Sequence, residues 1–516
     1  MRVLLHIPGH APLALHVAAG QTLAQGIWLS GMLAPPPLCS GLGQCGRCRV
    51  RFLDAAPPAL PVETQLFPAE ALEQGWRLAC RRMVEDLGPE VQLELPEQDA
   101  LPQTSPRSCP AASAAAAGQE LLLAVDLGTT SLQWRACALD GNSVAQGQEL
   151  NPQMGAGSEV MSRLAVAQRP GGLERLSRLT REALRRIVAS LPAPVSAMCV
   201  AGNTAMTAIL LQKDISGLAA APYRVPFAGH SLVRLAHLPP MYIPPQPAPF
   251  VGGDLSAGIA ALLRDKDIPY PFLLADMGTN GEFVLGLNPQ EYLLASVPLG
   301  PALEGIGLRF GQTAGPGAVT AFSLTPAGLQ AATWDQSAPR SICGTGYLSL
   351  IHVLLRADVL GQDGVFHAAP ATPLGRNIAA RLDKTTEPRL PLPGGMYLAA
   401  GDVEEILKVK AAFSLALEQL LAAGGLSPSA VRAVYLAGAL GSHVSTADME
   451  TLGFVPQGMG MRLHAVGNTA LDGAQQLLVH TSEREQLARW SQRCRVLDLV
   501  SSPDFTQHYL RHMRFC

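Results

Sequence analysis

Two segments of the chain share one pattern, and this internal repeat limits the available folds more than any other feature. Each segment is an apolar, strand-like run that ends in Asp, an apolar residue, Gly and Thr. The first copy is LLLAV-DLGTTS at residues 121–131 and the second is FLLA-DMGTNG at residues 272–281. A single copy would be a weak signal, whereas two copies at the ends of buried strands indicate a duplicated unit. The sequence therefore predicts two similar halves, each built around a strand and a tight hairpin.

The residue types in this repeat suit the binding of a nucleotide phosphate. Glycine lets a phosphate approach the backbone closely, and N–H and hydroxyl groups can donate hydrogen bonds to it. An aspartate is a suitable ligand for Mg²⁺ or for a water on Mg²⁺. Both copies therefore have the residue types of a hairpin that binds phosphate and a metal ion.

Two further glycine-rich segments lie in the second half of the chain. The strand-like run at residues 434–437 ends in Gly438, Gly441 and Ser442, where a base and ribose could lie flat against the backbone. Gly344 and Gly346 form another predicted glycine-rich turn. Taken singly, each segment could be an ordinary tight turn. Taken together and in this order, they favour a nucleotide site.

This order of motifs resembles the acetate and sugar kinases, the heat-shock ATPases and actin. The resemblance implies an α/β fold in which two ribonuclease-H-like lobes close on ATP, with Mg²⁺ between Asp126 and Asp276. By the same resemblance Asp126 and Asp276 would be the catalytic residues. Gly128, Thr129 and Thr130 would form the first phosphate hairpin, and Gly278, Thr279 and Asn280 the second. Gly438, Gly441 and Ser442 would lie at the adenosine. A water activated near either aspartate is a plausible nucleophile for hydrolysis, and the sequence leaves open which aspartate positions it.

Four of the 10 cysteines cluster near the N-terminus in the pattern C-x5-C-x2-C-x31-C. They are Cys39, Cys45, Cys48 and Cys80. Three thiolates on one glycine-rich loop and a distant fourth suit a plant-type [2Fe–2S] cluster, whose first spacing is usually x4. A zinc site and four unrelated buried thiols are the alternatives. The remaining cysteines show no ligand spacing and are interpreted as ordinary thiols.

The cysteine-rich segment resembles the β-grasp ferredoxins. Apolar residues alternate in residues 3–7 and 13–17, which predicts an opening β-hairpin. Residues 1–95 are therefore predicted to be a [2Fe–2S] ferredoxin-type domain, 96–118 a flexible linker, and 119–516 an ATPase domain with lobes at about 119–270 and 271–516. The linker is rich in Pro, Ser, Gln and Ala, and either tethers the domain or lets it swing between an electron donor and an acceptor. The predicted fold class is a multidomain α+β and α/β protein.

A ferredoxin domain joined to such an ATPase resembles the reductive activators of corrinoid proteins. The motifs that carry this resemblance are NPQ at 151–153, VMSR at 160–163, GNTAM at 202–206, GPALEG at 300–305, VGNTA at 466–470 and DGA at 472–474. The resemblance implies an enzyme that uses ATP and one low-potential electron to return Co(II) of a corrinoid protein to Co(I). It also implies an upstream low-potential electron donor and a homodimer formed through the ATPase domain.

Composition limits the remaining function classes. The chain has 516 residues, of which 48% are hydrophobic and 15% charged, and its formal net charge is −3. These values favour a compact globular protein and argue against a nucleic-acid partner. No uninterrupted apolar run approaches the length of a membrane span, and the apolar N-terminal run is broken too early for a signal peptide. The sequence therefore predicts a cytoplasmic protein without a membrane partner.

Two other functions compete with corrinoid activation. One is ATP-dependent electron donation to another low-potential acceptor such as a dehydratase, although that class usually holds a [4Fe–4S] cluster between two ATPase subunits. The other is a redox-sensing module that binds nucleotide without hydrolysis, which the presence of both Asp126 and Asp276 disfavours. Glu304 is interpreted either as a contact to nucleotide-bound metal or to the partner cobalamin, or as a surface carboxylate. Lys408 and Lys410 are interpreted either as adenosine contacts or as a solvated helix face.

Overall fold

The computed structural model describes residues 1–96, 107–108, 120–265, 267–383, 387–438, 444–499 and 504–516. These residues form two compact units, Met1–Ile243 and Pro244–Cys516. Most of the predicted linker, and Gly441 and Ser442, lie outside the described residues. The predicted limits of the domains and lobes stay predictions. Among the helices described, none combines the length and the apolar character needed to cross a lipid bilayer.

The first unit begins with a five-stranded mixed sheet in the order β2-β1-β5-β3-β4. Its strands are β1 (Arg2–His6), β2 (Leu13–His16), β3 (Arg49–Phe52), β4 (Trp76–Leu78) and β5 (Glu90–Glu94). Its helices are α1 (Leu23–Trp28), α2 (Pro61–Leu66) and α3 (Ala69–Glu73). Strands β1 and β2 pair antiparallel, so the predicted opening hairpin is confirmed.

Helix α1 begins at a capping box. The side chain of Thr22 accepts a hydrogen bond from the backbone N–H of Gln25, and the side chain of Gln25 accepts one from the N–H of Thr22. Each bond satisfies an N–H that has no partner within the helix. The apolar face of α1, including Ile27 and Trp28, is buried, which fixes the helix beside the loop that carries the first three clustered cysteines.

The second sheet of this unit has seven strands in the order β11-β12-β10-β7-β8-β9-β6. The strands are β6 (Arg107–Ser108), β7 (Leu121–Leu127), β8 (Ser131–Cys137), β9 (Ser143–Leu150), β10 (Val195–Gly202), β11 (Ser231–Val233) and β12 (Met241–Ile243). The helices are α4 (Val160–Ala167), α5 (Gly172–Ser190), α6 (Thr204–Leu210) and α7 (Ser216–Ala219). Strand β7 is buried along nearly all of its length.

The second unit contains a six-stranded sheet in the order β22-β21-β13-β14-β15-β23 and two smaller sheets. Its strands are β13 (Phe272–Met277), β14 (Asn280–Asn288), β15 (Glu291–Pro298), β16 (Ala318–Thr325), β17 (Gly328–Thr333), β18 (Ser341–Ile342), β19 (Arg389–Pro391), β20 (Tyr397–Ala399), β21 (Ala433–Ala437), β22 (Leu463–Gly467) and β23 (Cys494–Leu497). Its helices are α8 (Gly253–Leu263), α9 (Gly344–Arg356), α10 (Pro373–Ala379), α11 (Ala400–Ala423), α12 (Thr446–Thr451), α13 (Thr469–Val479), α14 (Glu483–Ser491) and α15 (Phe505–His512).

The two large sheets share one topology. In the first unit, β7 and β8 form an antiparallel hairpin, β9 continues it, and β10 pairs parallel with β7. In the second unit, β13 and β14 form the hairpin, β15 continues it, and β21 pairs parallel with β13. The predicted duplication is therefore confirmed at the level of strand order, and each repeated Asp lies near the end of the first strand of its hairpin.

Candidate cluster and nucleotide sites

The four clustered cysteines line a single cavity of about 230 Å³. The cavity is also lined by residues from α1 and by residues 154–157, which follow β9 in the second sheet. Within the cavity the thiols form two pairs, because Cys39 hydrogen-bonds with Cys45 and Cys48 with Cys80. The structure therefore brings together all four predicted ligands, including Cys80 from a distant part of the sequence.

This set of thiols fits a two-iron cluster. Two pairs of thiolates suit a cluster in which each iron takes two cysteines better than they suit one tetrahedral zinc ion. The fit supports the predicted donor set.

Backbone geometry around the cysteine loop also favours a charged sulfur site. The thiol of Cys45 and the backbone N–H groups of Gly43, Gln44 and Cys45 hydrogen-bond to Cys39 and lower its pKa to about 5. Gly41, Gly43 and Gly46 all have positive φ angles, a conformation that glycine adopts without strain. Backbone N–H groups of this glycine-rich loop therefore point toward the sulfur of Cys39.

A buried carboxylate positions the segment that carries Cys80. Glu63 is fully buried and accepts hydrogen bonds from the backbone N–H of Leu78 at 2.7 Å and of Leu60 at 2.8 Å. It also forms an ion pair with Arg82. In addition, the N–H of Ala79 donates to the carbonyl of Cys48 at 2.9 Å. These bonds fix the fourth ligand beside the third.

The first phosphate hairpin connects β7 to β8 through Gly128, Thr129 and Thr130. A Cβ atom on Gly128 would lie 2.7 Å from the carbonyl oxygen of Ser131, so this tight turn requires glycine. The side-chain amide of Asn203 donates to the hydroxyl of Thr129 at 3.0 Å. That of Asn151 donates to the carbonyl of Gly128 at 2.8 Å. The NPQ and GNTAM motifs therefore supply the side chains that hold this hairpin.

Arg163, from the VMSR motif, lies behind the same hairpin and is fully buried. Its guanidinium donates to the carbonyl oxygen of Thr129 and, through Nε, to that of Gly157 at 3.0 Å. It also contacts the side chain of Gln153 at 3.4 Å. The sequence marked Arg163 only as part of a family motif, because no local pattern shows which carbonyl groups a distant guanidinium will meet.

The second phosphate hairpin connects β13 to β14. The hydroxyl of Thr279 donates to Oε1 of Glu304 at 2.8 Å. The carbonyl of Thr279 accepts from the N–H groups of Leu299 and Gly300. Glu304 ends the 3₁₀ helix Pro301–Glu304. A hydrogen bond to the hairpin belongs to neither interpretation of Glu304, and its contact with nucleotide-bound metal or with the partner cobalamin stays a prediction.

Gly438, at the end of β21, lies against the Asp276 carboxylate. A Cβ atom there would come 2.7 Å from Oδ1 of Asp276 and 2.8 Å from the carbonyl oxygen of Met277. Its φ angle is +88°, which also favours glycine. The structure therefore places one of the three predicted adenosine contacts directly beside the second catalytic candidate.

Gly344 and Gly346 do not form the predicted turn. They lie in the first turn of helix α9, and the prediction of a glycine-rich turn is wrong there. A Cβ on Gly344 would lie 2.0 Å from the carbonyl of Leu303, and one on Gly346 would lie 2.2 Å from that of Val319. Gly344 thus allows α9 to pack closely against the loop that carries Glu304, and Gly346 allows it to pack against β16. A contact of either glycine with nucleotide stays a prediction.

The two lysines of helix α11 have different environments. Lys410 is buried and donates to the carbonyl oxygens of His512 at 3.2 Å and Arg514 at 2.7 Å. Lys408 forms ion pairs with Glu404 and Glu405 at 2.9 Å each. Lys410 therefore ties α11 to the C-terminal residues, which neither earlier interpretation anticipated, while Lys408 fits the solvated helix face.

A further carboxylate was missed by sequence reasoning. Asp254 lies in the first turn of α8, and burial raises its pKa to about 6. The group therefore changes protonation near neutral pH, as acid and base groups in enzymes often do. The string Gly252-Gly253-Asp254 is the one local signal for it, because glycines before an acidic residue are typical of a tight helix start.

Residues 1–95, the predicted [2Fe–2S] domain, are called the cysteine domain below. Models of known protein families match nearly all of the chain after it. Residues 121–266 match the model described as the RACo middle region, and residues 271–516 match the model described as the C-terminal domain of RACo, the ASKHA domain. The two matches together span about three quarters of the chain. The second match confirms the predicted ATPase fold for the C-terminal lobe.

Among curated proteins, the chain is similar to the corrinoid activation enzyme RamQ of Eubacterium limosum, at 26% identity over 424 residues, covering 76% of this chain and 70% of RamQ. It is also similar to the [Co(II) methylated amine-specific corrinoid protein] reductase of Methanosarcina barkeri, at 24% identity, covering 52% of this chain and about half of the reductase. Among solved structures, the reductive activator for corrinoid, iron-sulfur protein matches with a TM-score of 0.70 and 21% identity, covering 100% of this chain and 98% of that structure. This last likeness confirms the predicted fold class.

Proposed function

The chain belongs to the RACo family of corrinoid reductive activators, and on this premise we propose that it transfers a low-potential electron from a [2Fe–2S] cluster to Co(II) of a corrinoid protein, driven by ATP. The observation that carries the proposal is the cavity lined by Cys39, Cys45, Cys48 and Cys80. It is joined in one chain to two hairpins of the phosphate-binding type. The curated relatives, which activate or reduce corrinoid proteins, support the same acceptor.

The four thiolates hold the cluster, which supplies the single electron that converts Co(II) to Co(I). The backbone N–H groups that hydrogen-bond to Cys39 stabilise negative charge at this sulfur. The part of the cavity wall formed by residues 154–157 limits the access of water. The chain's own residues thus bind the redox group and shield it.

ATP is required because the transfer is uphill. A one-electron transfer costs about 1.4 kcal/mol for each ~59 mV by which the reduction potential of the acceptor lies below that of the donor. We propose that Gly128, Thr129, Thr130, Gly278, Thr279 and Asn280 donate to the phosphates of ATP. Asp126 and Asp276 carry the oxygen ligands that Mg²⁺ prefers, and either can orient the attacking water. Gly438, Gly441 and Ser442 stay the proposed contacts for adenosine.

The same proposal includes the partners. They are a corrinoid protein of a methyltransferase system, an upstream low-potential donor that re-reduces the cluster, and a second copy of the chain that dimerises through the ATPase domain. The family resemblance supports these partners. A cytoplasmic site of action stays a prediction from the sequence.

An anaerobic assay tests the function. The dithionite-reduced protein is mixed with a Co(II) corrinoid protein, with and without Mg-ATP, and the Co(I) absorption band is followed. We expect Co(I) to form only with ATP. Absence of Co(I), despite an intact [2Fe–2S] spectrum and measurable ATP hydrolysis, would exclude that corrinoid protein as the acceptor and favour a different low-potential acceptor. Binding of ATP without any hydrolysis would favour the redox-sensing alternative.

A further inference from the structure

One short segment of the first unit touches both the first phosphate hairpin and the cysteine cavity. This segment, residues 151–158, begins at Asn151, whose backbone N–H donates to the carbonyl of Thr130 and whose side chain donates to that of Gly128, both at 2.8 Å. Residues 154–157 then form part of the wall of the cysteine cavity. The segment ends at Ser158, whose hydroxyl lies 2.8 Å from that of Ser40, the residue after the first cysteine.

Arg163 provides a second connection between the same two places. One arm of its buried guanidinium bonds to the carbonyl of Thr129, within the hairpin, and Nε bonds to the carbonyl of Gly157, within the cavity wall. A guanidinium is planar and its donors have fixed directions. A shift of the Thr129 peptide therefore cannot leave the bond to Gly157 unchanged.

The cysteine domain contacts this surface through hydrogen bonds and through close packing. Besides the Ser40–Ser158 pair, Arg169 donates to the carbonyl of Gly20 at 2.9 Å and to the side chain of Gln25 at 3.3 Å. Helix α1 packs against the 3₁₀ helix Pro152–Ala156. The approach is close, since a Cβ on Gly155 would lie 3.0 Å from the backbone of Trp28. A movement of the 151–158 segment therefore acts directly on contacts that hold the cysteine domain.

We propose that Arg163 is the positioning residue through which phosphate bound at the Gly128–Thr130 turn releases the cysteine domain from the 151–158 segment and exposes its cluster. The inference rests on the proposed function, because it requires a cluster at the four cysteines and nucleotide at the hairpin. A ligand shifts a conformational equilibrium only through contacts that differ between the two states. The bonds of Arg163 to Thr129 and Gly157 are contacts of this kind, since phosphate that draws the Thr129 peptide toward itself weakens both.

The exposure of the cluster is measured by the rate at which an iron chelator strips it from the intact holoprotein under anaerobic conditions. Stripping is followed by loss of the visible absorption, with and without a non-hydrolysable Mg-ATP analogue, and the Kd of the analogue is measured in parallel. We expect the analogue to accelerate stripping of the natural chain about fivefold or more, as a shift from a mostly closed to a mostly open population requires. Arg163→Lys keeps the charge but loses the planar guanidinium that bonds to two carbonyl groups at once. In this variant we expect bound analogue to leave the stripping rate unchanged.

Two other variants separate this role from a merely structural one. Arg169 is exposed and contacts the cysteine domain at Gly20 and Gln25. The chelator should therefore strip the cluster from Arg169→Ala rapidly even without nucleotide. Arg181 is a partly buried arginine of the same unit that donates to the carbonyl of Leu210. Arg181→Lys is therefore the matched control, and it should respond to the analogue as the natural chain does.

The outcomes distinguish this inference from the proposed function. If the natural chain binds the analogue but its stripping rate does not change, or if Arg163→Lys still responds fully, Arg163 does not couple the two sites. If, without nucleotide, Arg169→Ala loses its cluster to the chelator as slowly as the natural chain does, the 151–158 surface does not cover the cluster. If the natural chain binds no nucleotide at all, the proposed function fails and this inference fails with it.

Discussion

The hydroxyl of Thr279 donates a 2.8 Å hydrogen bond to Oε1 of Glu304. This bond joins the second phosphate hairpin to a loop that lies after β15. It also fixes the orientation of the Thr279 hydroxyl group. Helix α9 supports the same loop, because Gly344 allows its backbone to approach Leu303. The acidic residue and the hairpin therefore behave as one structural element.

The first prediction concerns this bond. Glu304→Gln keeps an acceptor oxygen for Thr279, whereas Glu304→Ala removes it. If the hydrogen bond is what positions the hairpin, Glu304→Ala should weaken ATP binding about tenfold, the effect of losing one bond to a charged group, and Glu304→Gln should bind nearly as the natural chain does. Titration of ATP binding checks this, with Glu291→Ala, at the exposed start of β15, as control. Equal weakening by both Glu304 variants would show that the charge matters instead.

The second prediction concerns the cluster ligands. Cys45→Ser and Cys80→Ser each break one thiol pair, so each variant should lose the [2Fe–2S] absorption and its bound iron while still binding ATP. Iron analysis and visible spectroscopy of anaerobically purified protein measure the loss. Cys494→Ser is the control, because this thiol lies in the second unit and bonds to the carbonyl of Trp490. A full cluster content in either ligand variant would contradict the assignment.

The third prediction concerns the two repeated aspartates. Asp126→Asn and Asp276→Asn keep the shape of each side chain but remove the charge that would hold Mg²⁺ or orient water. Each should lower the rate of ATP hydrolysis about 100-fold or more without changing the cluster spectrum. Asp140→Asn, in the turn between β8 and β9, is the matched control and should hydrolyse ATP normally. Unchanged hydrolysis in both hairpin variants would place the reaction elsewhere.

The fourth prediction concerns stability and separates the two lysines of α11. Lys410→Met removes the buried donor to the carbonyl oxygens of His512 and Arg514, and should lower the free energy of unfolding by about 1–3 kcal/mol. Lys408→Met breaks only partly exposed ion pairs and should cost less than about 1 kcal/mol. Denaturant unfolding of the two variants side by side tests this. Equal losses would show that the bonds of Lys410 to the C-terminal residues contribute nothing.

The fifth prediction concerns pH. Burial raises the pKa of Asp254 from 3.8 to about 6, so folding favours its protonated form. The stability contributed by this group is fully present below pH 3.8 and is lost as the pH rises through about 6. Asp254→Asn mimics the protonated form and should therefore stabilise the protein at pH 8, by at most about 3 kcal/mol, and by much less at pH 4. Thermal unfolding at both pH values checks this, and a pH-independent effect would contradict it.

Several parts of this protein could be predicted from local sequence. The two Asp-x-Gly-Thr hairpins formed where the repeat predicted them, because an apolar strand, a glycine and a hydroxyl residue specify a tight turn with few alternatives. The cysteine spacing likewise predicted a shared site, since three of the four thiols lie on one short loop. The turn predicted at Gly344 and Gly346 was wrong because glycine also permits close packing between a helix and a backbone carbonyl, and a local pattern cannot distinguish these two uses.

What the sequence determined by itself was therefore local: the strands, the hairpins and the chemical type of each site. Tertiary structure alone decided that Glu63 fixes the segment before Cys80, that Lys410 bonds to the C-terminal residues, and that Arg163 joins Thr129 to Gly157. The physical reason is that a buried charged group must find its hydrogen-bond partners wherever packing places them. Those partners are often backbone atoms, which carry no signature in the sequence, so the connection between the two sites could be recognised only in the folded chain.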